Sequence, residues 1–254
     1  MQFGGENASY ALLEVGSTNE YAKALAKAGA VSGTVVWAHR QTQGKGTRNR
    51  TWESLDGNVF WSGIIQLKDI GRPFTELVYV NALAVYNTIT QYIDAPAQAA
   101  IKWPNDILLH EKKVAGSLLE CGKFDAQGKP AWMVLGTGIN VAASPRTHPS
   151  MLYPPISLKE SGYDVSREAV IETLNTQLGT AIAAWLQQGF STVREAYLAK
   201  AFRLYEEIAI GITPDKADYV TGQYLGIDEQ GAIMVACSDN TIKKFHSGDV
   251  LVRS

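Results

Sequence analysis

The 254-residue sequence predicts an α+β fold followed by a small SH3-like β-barrel. Predicted strands and helices are interspersed up to about residue 208. After the turn-forming segment 211–214, the pattern changes to short alternating strands at residues 219–226, 232–237 and 241–245. Short strands of this kind within about 45 residues are typical of a small barrel. We therefore expect two domains, comprising residues 1–208 and 209–254.

The N-terminal part contains both strand and helix patterns. Apolar and β-branched runs predict strands at residues 10–15, 34–38, 59–66, 107–109, 113–120, 132–135 and 139–142. Apolar residues at helical spacing predict helices at residues 17–30, 75–92, 166–188 and 192–202. Ser17 and Glu20 form a capping-box pattern at the start of the first helix, and Gly189 marks the end of the third.

The composition argues against several classes of protein. The net charge is −2, so the chain has no overall basic character that would favour nucleic acid. Cys121 and Cys237 lack metal-binding or disulfide spacing, which indicates reduced thiols in a cytoplasmic protein. No apolar run approaches the roughly 18 residues of a membrane span, and no signal peptide is evident. We expect neither a nucleic-acid nor a membrane partner.

Glycines and cations are interleaved between residues 44 and 50, directly after a predicted strand. Gly44 and Gly46 can adopt positive φ angles and let backbone N–H groups approach an anion, and Asn49 tolerates the same conformation. Arginine side chains match the geometry of phosphate. The segment therefore indicates either an anion-binding loop or a basic surface turn. Its cations are Lys45, Arg48 and Arg50.

A second polar cluster interrupts an apolar strand pattern near residue 105. Asn105 and Asp106 offer hard oxygen ligands of the kind that Mg²⁺ binds beside phosphates. A predicted turn at residues 110–112 then leads to Lys113, at the start of the next strand. Lys113 is either a solvated lysine at a hairpin end or a cation that faces the same site.

Four sequence blocks occur in order, at residues 44–52, 102–106, 113–120 and 136–140. They read Gly-Lys-Gly-Thr-Arg-Asn-Arg-Thr-Trp, Lys-Trp-Pro-Asn-Asp, Lys-Val-Ala-Gly-Ser-Leu-Leu-Glu and Gly-Thr-Gly-Ile-Asn. Together they resemble the conserved blocks of biotin protein ligases, also called biotin–[acetyl-CoA-carboxylase] ligases. Residues 17–19 and 248–250 also fit, so the resemblance covers essentially the whole chain.

The resemblance implies a mixed-sheet biotin/lipoate ligase-type catalytic domain with a C-terminal SH3-like barrel. Because the first predicted strand begins near residue 10, the implied form lacks the N-terminal DNA-binding domain of many relatives. The implied activity consumes ATP, with Mg²⁺, to convert biotin into biotinyl-5′-AMP. The biotinyl group then passes to a specific lysine of a biotin carboxyl carrier protein domain. The oligomeric state stays open, with a homodimer as one candidate.

The site residues that the resemblance implies fall into three sets. The biotin contacts are Ser17, Thr18, Asn19, Gln41, Gly44, Lys45, Gly46, Thr47, Lys113 and Gly116. The ATP contacts are Arg48, Arg50, Trp52, Asn105, Lys113 and Asn140. The catalytic set is Lys113, Arg48, Arg50 and Asp106, with Asp106 either a magnesium ligand or a group acting on the acceptor lysine. Two simpler alternatives remain: residues 17–19 only cap a helix, and Trp52 is a core aromatic.

The chain departs from the family pattern in the cationic loop, where Lys45, Thr47 and Asn49 replace two arginines and a glycine, and again at Leu204-Tyr205. Thr47 replaces an arginine that relatives use to hold the reactive adenylate, which puts retention of the intermediate in doubt. Leu204-Tyr205 stands where a Leu-Gly pair is common. Two rival functions are a lipoate ligase or octanoyltransferase, which shares the core fold, and a sensor of biotin or adenylate without catalysis.

Overall fold

The computed structural model describes residues 1–5, 8–68, 70–148, 151–211 and 218–251. Its first strands are β1 Ser9–Val15, β2 Val35–Gln41, β3 Val59–Gln66, β4 Ala99–Lys102, β5 Asp106–Leu109, β6 Lys112–Cys121 and β7 Trp132–Ile139. The later strands are β8 Glu207–Gly211, β9 Tyr219–Ile227, β10 Ile233–Ala236, β11 Ile242–Phe245 and β12 Asp249–Leu251. The α-helices are α1 Thr18–Lys27, α2 Leu77–Thr90, α3 Arg167–Gln188 and α4 Phe190–Leu198. Within these ranges, no helix combines the length and apolarity needed to cross a bilayer.

The first seven strands form one mixed sheet. Their spatial order is β1-β2-β3-β7-β6-β5-β4. β1 and β2 run parallel, and the other neighbours pair antiparallel. β5 and β6 form the expected hairpin, with His110 and Glu111 at positive φ in its turn. The hairpin brings Asp106 opposite Gly116 and leaves Lys113 beside a register shift, so one sheet region carries several candidate residues.

Helices cover both faces of this sheet. Val36 and Ile64 pack with Ala22 and Ala26 of α1. Their neighbours Val35 and Ile65 belong instead to the larger core with α2 and α3, since successive strand residues point to opposite faces. α1 therefore lies on one face and the α2–α3 layer on the other. Because α1 follows β1 directly, its first turn sits at the carboxyl end of that strand.

The last five strands form an antiparallel sheet in the order β11-β10-β9-β8-β12. It packs on the first part of the chain, because its buried residues share the core of α2 and α3. Polar contacts also join the two parts: the Tyr79 hydroxyl donates to the Gly231 carbonyl, and Arg194 Nε donates to Ile227 O at 2.5 Å. The α+β class with a small C-terminal β unit is confirmed. The predicted boundary after residue 208 falls inside β8, and the domain division stays a prediction.

Two helix details differ from expectation. Ser17 is the N-cap residue of α1, but its side chain makes no capping hydrogen bond, so the predicted capping box is wrong. The partner residue Glu20 is drawn instead to Lys23 and Lys45, at 2.7 and 2.5 Å. By contrast, Ser166 does cap α3 by accepting from Ala169 N, and Gly189 follows its last residue as predicted.

Two strand predictions also need correction. The pieces expected at residues 132–135 and 139–142 are one strand, β7, because Gly136 and Gly138 stay in the ladder with β3 and β6. β8 was not predicted, although it pairs with both β9 and β12. Its five residues read Glu-Ile-Ala-Ile-Gly, which does not alternate between apolar and polar side chains.

The structure explains the departure at Leu204-Tyr205. Tyr205 has a φ of 67° and an exposed side chain. Positive φ strains a residue with a Cβ atom, whereas glycine adopts it freely. The glycine common in relatives at this position therefore suits the backbone better than tyrosine does.

We expect Tyr205→Gly to raise the free energy of unfolding by about 1 kcal/mol, because it relieves this strain and removes little packing. Urea denaturation of the two proteins measures the difference. Tyr205→Ala is the matched control: it removes the same ring but keeps the Cβ atom, so it should bring no such gain. Equal stability of the glycine and alanine variants would contradict the explanation.

Candidate functional site

Two cavities meet beneath the loop 44–52. The inner cavity is lined by residues at the start of α1, on β2, β3, β5, β6 and β7, and in the loop: Ser17, Thr18, Asn19, Gln41, Lys45, Gly46, Thr47, Trp52, Phe60, Trp61, Asp106, Lys113, Gly116, Ser117, Leu118, Gly136, Thr137 and Gly138. The outer cavity, of about 370 Å³, is lined by Gly46, Thr47, Arg50, Thr51, Trp52, Glu53, Lys102, Asp106, Lys113, Asn140, Pro145, Met151, Leu152, Tyr153, Pro155 and Asp249. Gly46, Thr47, Trp52, Asp106 and Lys113 belong to both.

One wall of the inner cavity is a network of buried polar side chains. Gln41 Oε1 accepts from the backbone N–H of Thr18 at 2.9 Å and from its hydroxyl at 3.1 Å. The Ser62 hydroxyl donates to Asn19 Oδ1 at 2.6 Å, and Asn19 Nδ2 donates to Leu118 O at 3.2 Å. Such mutual bonding fixes donors and acceptors in place for a polar ligand. Residues 17–19, which follow β1, therefore line the inner cavity as well as beginning helix α1.

Glycines on β7 make room for this wall. A Cβ atom at Gly136 would collide with the Asn19 side chain, and one at Gly138 would collide with the Trp52 ring. The backbone of β7 can therefore approach both side chains closely only because these positions lack Cβ atoms. Trp52 lies across the junction of the two cavities rather than in the hydrophobic core.

Asp106 lies between two lysines at that junction. Lys102 Nζ is 2.9 Å from Asp106 Oδ2, and Lys113 Nζ is 2.6 Å from Asp106 Oδ1. Burial raises the pKa of the Asp106 carboxyl, but the charges of Lys102 and Lys113 and their hydrogen bonds lower it further, to well below its usual range. Gly116 permits the arrangement, since a Cβ atom there would sit 3.0 Å from Lys113 and 3.1 Å from Asp106.

Lys113 is the more accessible of the two lysines. Its side chain is 30% exposed, whereas that of Lys102 is 5% exposed. Its Nζ also lies 5.6 Å from the centroid of the Trp52 ring. The backbone of Lys113 bonds to the segment 154–156, which forms a wall of the outer cavity. The structure thus places a cation between the cavities, not on a solvated hairpin end.

The outer cavity contains polar atoms that lack a partner. Asn140 Oδ1 and Trp52 Nε1 are buried and, among the described residues, have no hydrogen-bond partner. Asn140 Nδ2 is bound to Ile156 O at 3.1 Å, which orients the amide. Buried polar atoms are nearly always satisfied in native proteins, so unpaired ones beside a cavity indicate a ligand site. Met151 and Leu152 supply apolar wall nearby.

The loop uses its glycines differently from what we expected. Gly46 has a φ of −113°, and the residue at positive φ is Arg48, at 56°. Gly44 instead allows close approach, because a Cβ atom there would collide with the Trp52 carbonyl oxygen. The loop closes on itself through Trp52 N–H to Gly44 O, at 3.0 Å, and Gly46 N–H to Arg50 O, at 2.7 Å.

Acidic side chains hold the loop cations. The Asp249 side chain, at the start of β12, is 10% exposed and binds Arg48 at 2.7 Å and Arg50 at 3.3 Å through different oxygens. Lys45 binds Glu20 at 2.5 Å. The two loop arginines can therefore lie close together without a bound anionic ligand, because the Asp249 carboxylate of the C-terminal sheet neutralises their charges.

We expect the loop amides to lose protection from hydrogen exchange when the Asp249 carboxylate is replaced by a neutral group. In Asp249→Asn, amide hydrogen exchange across residues 44–51 should become about 2- to 5-fold faster, since partly exposed ion pairs contribute up to about 1 kcal/mol. Biotin with ATP should restore slow exchange. Asp239→Asn, in a turn of the same sheet, is the control. Unchanged exchange in Asp249→Asn would show that backbone bonds alone order the loop.

The residues near Asp106 do not fit a magnesium ion held by the protein. Both carboxylate oxygens of Asp106 already accept from lysines, and Asn105 Nδ2 donates to Ser117 O at 2.5 Å. Among the residues that the structure describes, no group of three His, Cys, Asp or Glu side chains is placed to hold a metal. Mg²⁺ is commonly bound through substrate phosphates with few protein ligands. The use of Mg²⁺ stays a prediction.

Most of the sequence-predicted site residues come together around the junction. Gly44, Arg48 and Asn105 are the exceptions, since they line neither cavity in the described structure. Gly44 and Arg48 border a groove on the other side of the loop, together with Glu120. Residues that sequence reasoning missed include Ser62, Lys102, Tyr153 and Asp249. Lys102 and Asp249 lie in blocks already noted for the resemblance, whereas Ser62 and Tyr153 carried no distinguishing pattern.

Comparisons with known proteins agree with this arrangement. Residues 14–140 match the biotin/lipoate A/B protein ligase family, and residues 209–253 match the biotin protein ligase C-terminal domain. The chain is 36% identical to the biotin–[acetyl-CoA-carboxylase] ligase of Paracoccus denitrificans, over 88% of this chain and 92% of that protein. It is 32% identical to the bifunctional ligase/repressor BirA of Bacillus subtilis, over 92% of this chain and 70% of that protein.

A solved structure shows the same fold. The biotin protein ligase from Aquifex aeolicus in complex with biotin and ATP superposes with a TM-score of 0.80 at 26% identity, covering 96% of this chain and 98% of that one. The fold, the ordered sequence blocks and these relatives agree with one another. The chain therefore belongs to the biotin/lipoate A/B protein ligase family, and its relatives and its C-terminal match place it among the biotin protein ligases.

Proposed function

We propose that this chain is a biotin protein ligase that works in two half-reactions. In the first, biotin and ATP give biotinyl-5′-AMP and pyrophosphate. In the second, the biotinyl group passes to a lysine of a biotin carboxyl carrier protein domain. The inner cavity holds biotin, the outer cavity holds ATP, and Lys113 lies where their reacting ends meet.

The first half-reaction brings two anions together. The biotin carboxylate attacks the α-phosphorus of ATP, and the bond to the β-phosphate oxygen breaks as pyrophosphate leaves. Cations placed where charge develops are the main means of lowering such a barrier. Lys113 contributes its ammonium between the carboxylate and the α-phosphate. Arg50 in the outer cavity, with Arg48 beside it, contributes to binding of the triphosphate.

Each cavity supports its assignment by its chemistry. The inner cavity presents the paired polar groups of Thr18, Asn19 and Gln41 to the ureido ring of biotin. The outer cavity presents the unpaired Asn140 Oδ1 and Trp52 Nε1 beside the apolar Met151 and Leu152, which suits a nucleoside.

In the second half-reaction, the amine of the acceptor lysine attacks the carbonyl carbon of the mixed anhydride, and AMP leaves. The amine must first lose a proton. Asp106 is the carboxylate nearest the junction and is the group proposed to orient that ammonium or take its proton. Its paired lysines keep it ionised in the free protein and lower its pKa, which supports orientation of the ammonium more than removal of its proton.

One observation carries the proposal: the ammonium of Lys113 lies between two cavities whose walls suit biotin and a nucleotide. The test is to incubate the protein with ATP, biotin and a biotin carboxyl carrier domain, and to measure the mass of the carrier. We expect addition of one biotinyl group. A carrier whose acceptor lysine is replaced by arginine is the control.

The same assay separates the rival functions. Modification of a lipoyl carrier by lipoate in preference to biotin would identify a lipoate ligase. Tight binding of biotin with no adenylate and no modified carrier would identify a sensor. A homodimer, a cytoplasmic location and the lack of a nucleic-acid partner remain predictions.

A further inference from the structure

Lys102 is a buried lysine with no role in the scheme above. It is the last residue of β4, is 4% exposed, and lies opposite Asp106 in the β4–β5 register. Its Nζ lies 2.9 Å from Asp106 Oδ2 and 5.2 Å from the centroid of the Tyr153 ring. Burial of an ammonium group is costly unless the charge is well paired. A lysine at this position therefore calls for an explanation.

Lys102 and Lys113 share one carboxylate but differ in access. Lys102 has a 5% exposed side chain, bound to one oxygen, and Lys113 has a 30% exposed side chain, bound to the other. Lys102 lies between Asp106 and Tyr153 and borders only the outer cavity, whereas Lys113 faces both cavities. Lys113 is therefore the lysine that can move toward a ligand, and Lys102 is the one that stays.

The difference in access between the two lysines matters when the ammonium of Lys113 leaves Asp106 to bind the substrates. The Asp106 side chain is 18% exposed, so it would be left as a largely buried, unpaired carboxylate if Lys113 were its only partner. Leaving a buried charge unpaired is strongly unfavourable. Asp106 would then compete with the substrate anions for the ammonium of Lys113.

We infer that Lys102 is a positioning residue of the first half-reaction. It keeps the Asp106 carboxylate paired when the Lys113 side chain moves away. The ammonium of Lys113 is then free to bind the biotin carboxylate and the α-phosphate. This inference rests on the proposed function. It assigns to Lys102 an effect on turnover that passes through Asp106 and requires no contact with substrate.

A direct contact between Lys102 and the phosphates is the alternative, since Lys102 lines the outer cavity. The two roles make different predictions when Asp106 loses its charge. With Asp106→Asn, no carboxylate remains to hold Lys113 back, so Lys102 has nothing left to neutralise. A phosphate contact, by contrast, would matter equally in both backgrounds.

The test is a double-mutant cycle on the full chain with Lys102→Met, Asp106→Asn and both together, scored by biotinyl-5′-AMP formation from biotin and ATP. We expect Lys102→Met alone to lower kcat on the order of 10- to 100-fold, with the KM for ATP changed by less than about 3-fold. In the Asp106→Asn background, Lys102→Met should change kcat by less than about 3-fold. Lys102→Arg should retain most of the activity.

Two controls keep the outcome interpretable. Lys200→Met removes a lysine that lies 5.6 Å from the centroid of the Tyr86 ring and does not line the cavities, and it should not affect kcat. If Lys102→Met alone fails to fold, the doubly substituted protein, which has no unpaired carboxylate, should match Asp106→Asn alone.

Equal losses in both backgrounds, a large rise in the KM for ATP, or no loss in the original background would each overturn the role of Lys102. A native protein that forms no biotinyl-5′-AMP would instead contradict the proposed function itself.

Discussion

Replacement of Lys113 by alanine is expected to lower the rate of biotinyl-5′-AMP formation by about 10²–10³, which corresponds to about 3–4 kcal/mol of transition-state stabilisation. The reason is its position: the ammonium lies where the two cavities meet and faces the site at which two anions must approach. Biotin binding should change much less, because the polar wall formed with Gln41 does not involve Lys113.

Pyrophosphate release in the presence of biotin and ATP measures this effect. Lys112→Ala is the matched control, because Lys112 is the exposed neighbour on the same strand and should be dispensable. Thermal unfolding should show that both variants are folded. Near-normal pyrophosphate release from Lys113→Ala would show that this lysine is not a catalytic residue.

Thr47→Arg should slow the release of the adenylate by about 10- to 150-fold, since a buried charge-assisted hydrogen bond contributes about 1.5–3 kcal/mol. Thr47 lines both cavities, so an arginine there would reach the bound intermediate, as it is expected to do in relatives. In this chain the threonine hydroxyl only accepts a weak bond from Arg50, at 3.4 Å. The native protein should therefore lose biotinyl-5′-AMP readily and label exposed lysines of bystander proteins.

Dissociation of preformed biotinyl-5′-AMP from the native and substituted proteins measures the effect directly. Thr42→Arg is the control, because it adds the same charge outside both cavities. The alternative is that Lys45 or Arg48 takes over the clamp. In the free protein these side chains bind Glu20 and Asp249, so each would first have to leave an acidic partner. Indistinguishable dissociation rates would show that such compensation occurs.

Local patterns predicted the regular elements well. β3 and α3 were expected at residues 59–66 and 166–188, close to the observed Val59–Gln66 and Arg167–Gln188. Both have long apolar patterns with clear ends, and Gly189 stops the helix as expected. β8 was missed because its five residues gain stability from partners that lie later in the chain.

The site was predictable in its residue types but not in its pairings. The sequence blocks placed Asp106 and Lys113 in one site, and the structure brings them within 2.6 Å. The bond of Asp249 to Arg48 joins residues 201 positions apart, so no local pattern could indicate it. The failed capping box at Glu20 has the same cause in part, because Lys45, 25 residues away, binds the carboxylate together with the nearby Lys23.

Formation of the adenylate from its two substrates tests the central claim most directly. The native protein should be mixed with biotin and ATP labelled in the α-phosphate, and the products should be separated. We predict labelled biotinyl-5′-AMP and an equal amount of pyrophosphate, dependent on biotin and nearly lost in Lys113→Ala. Absence of labelled adenylate from a folded protein would contradict the account, as would preferential formation of the lipoyl or octanoyl adenylate when lipoate or octanoate is added beside biotin.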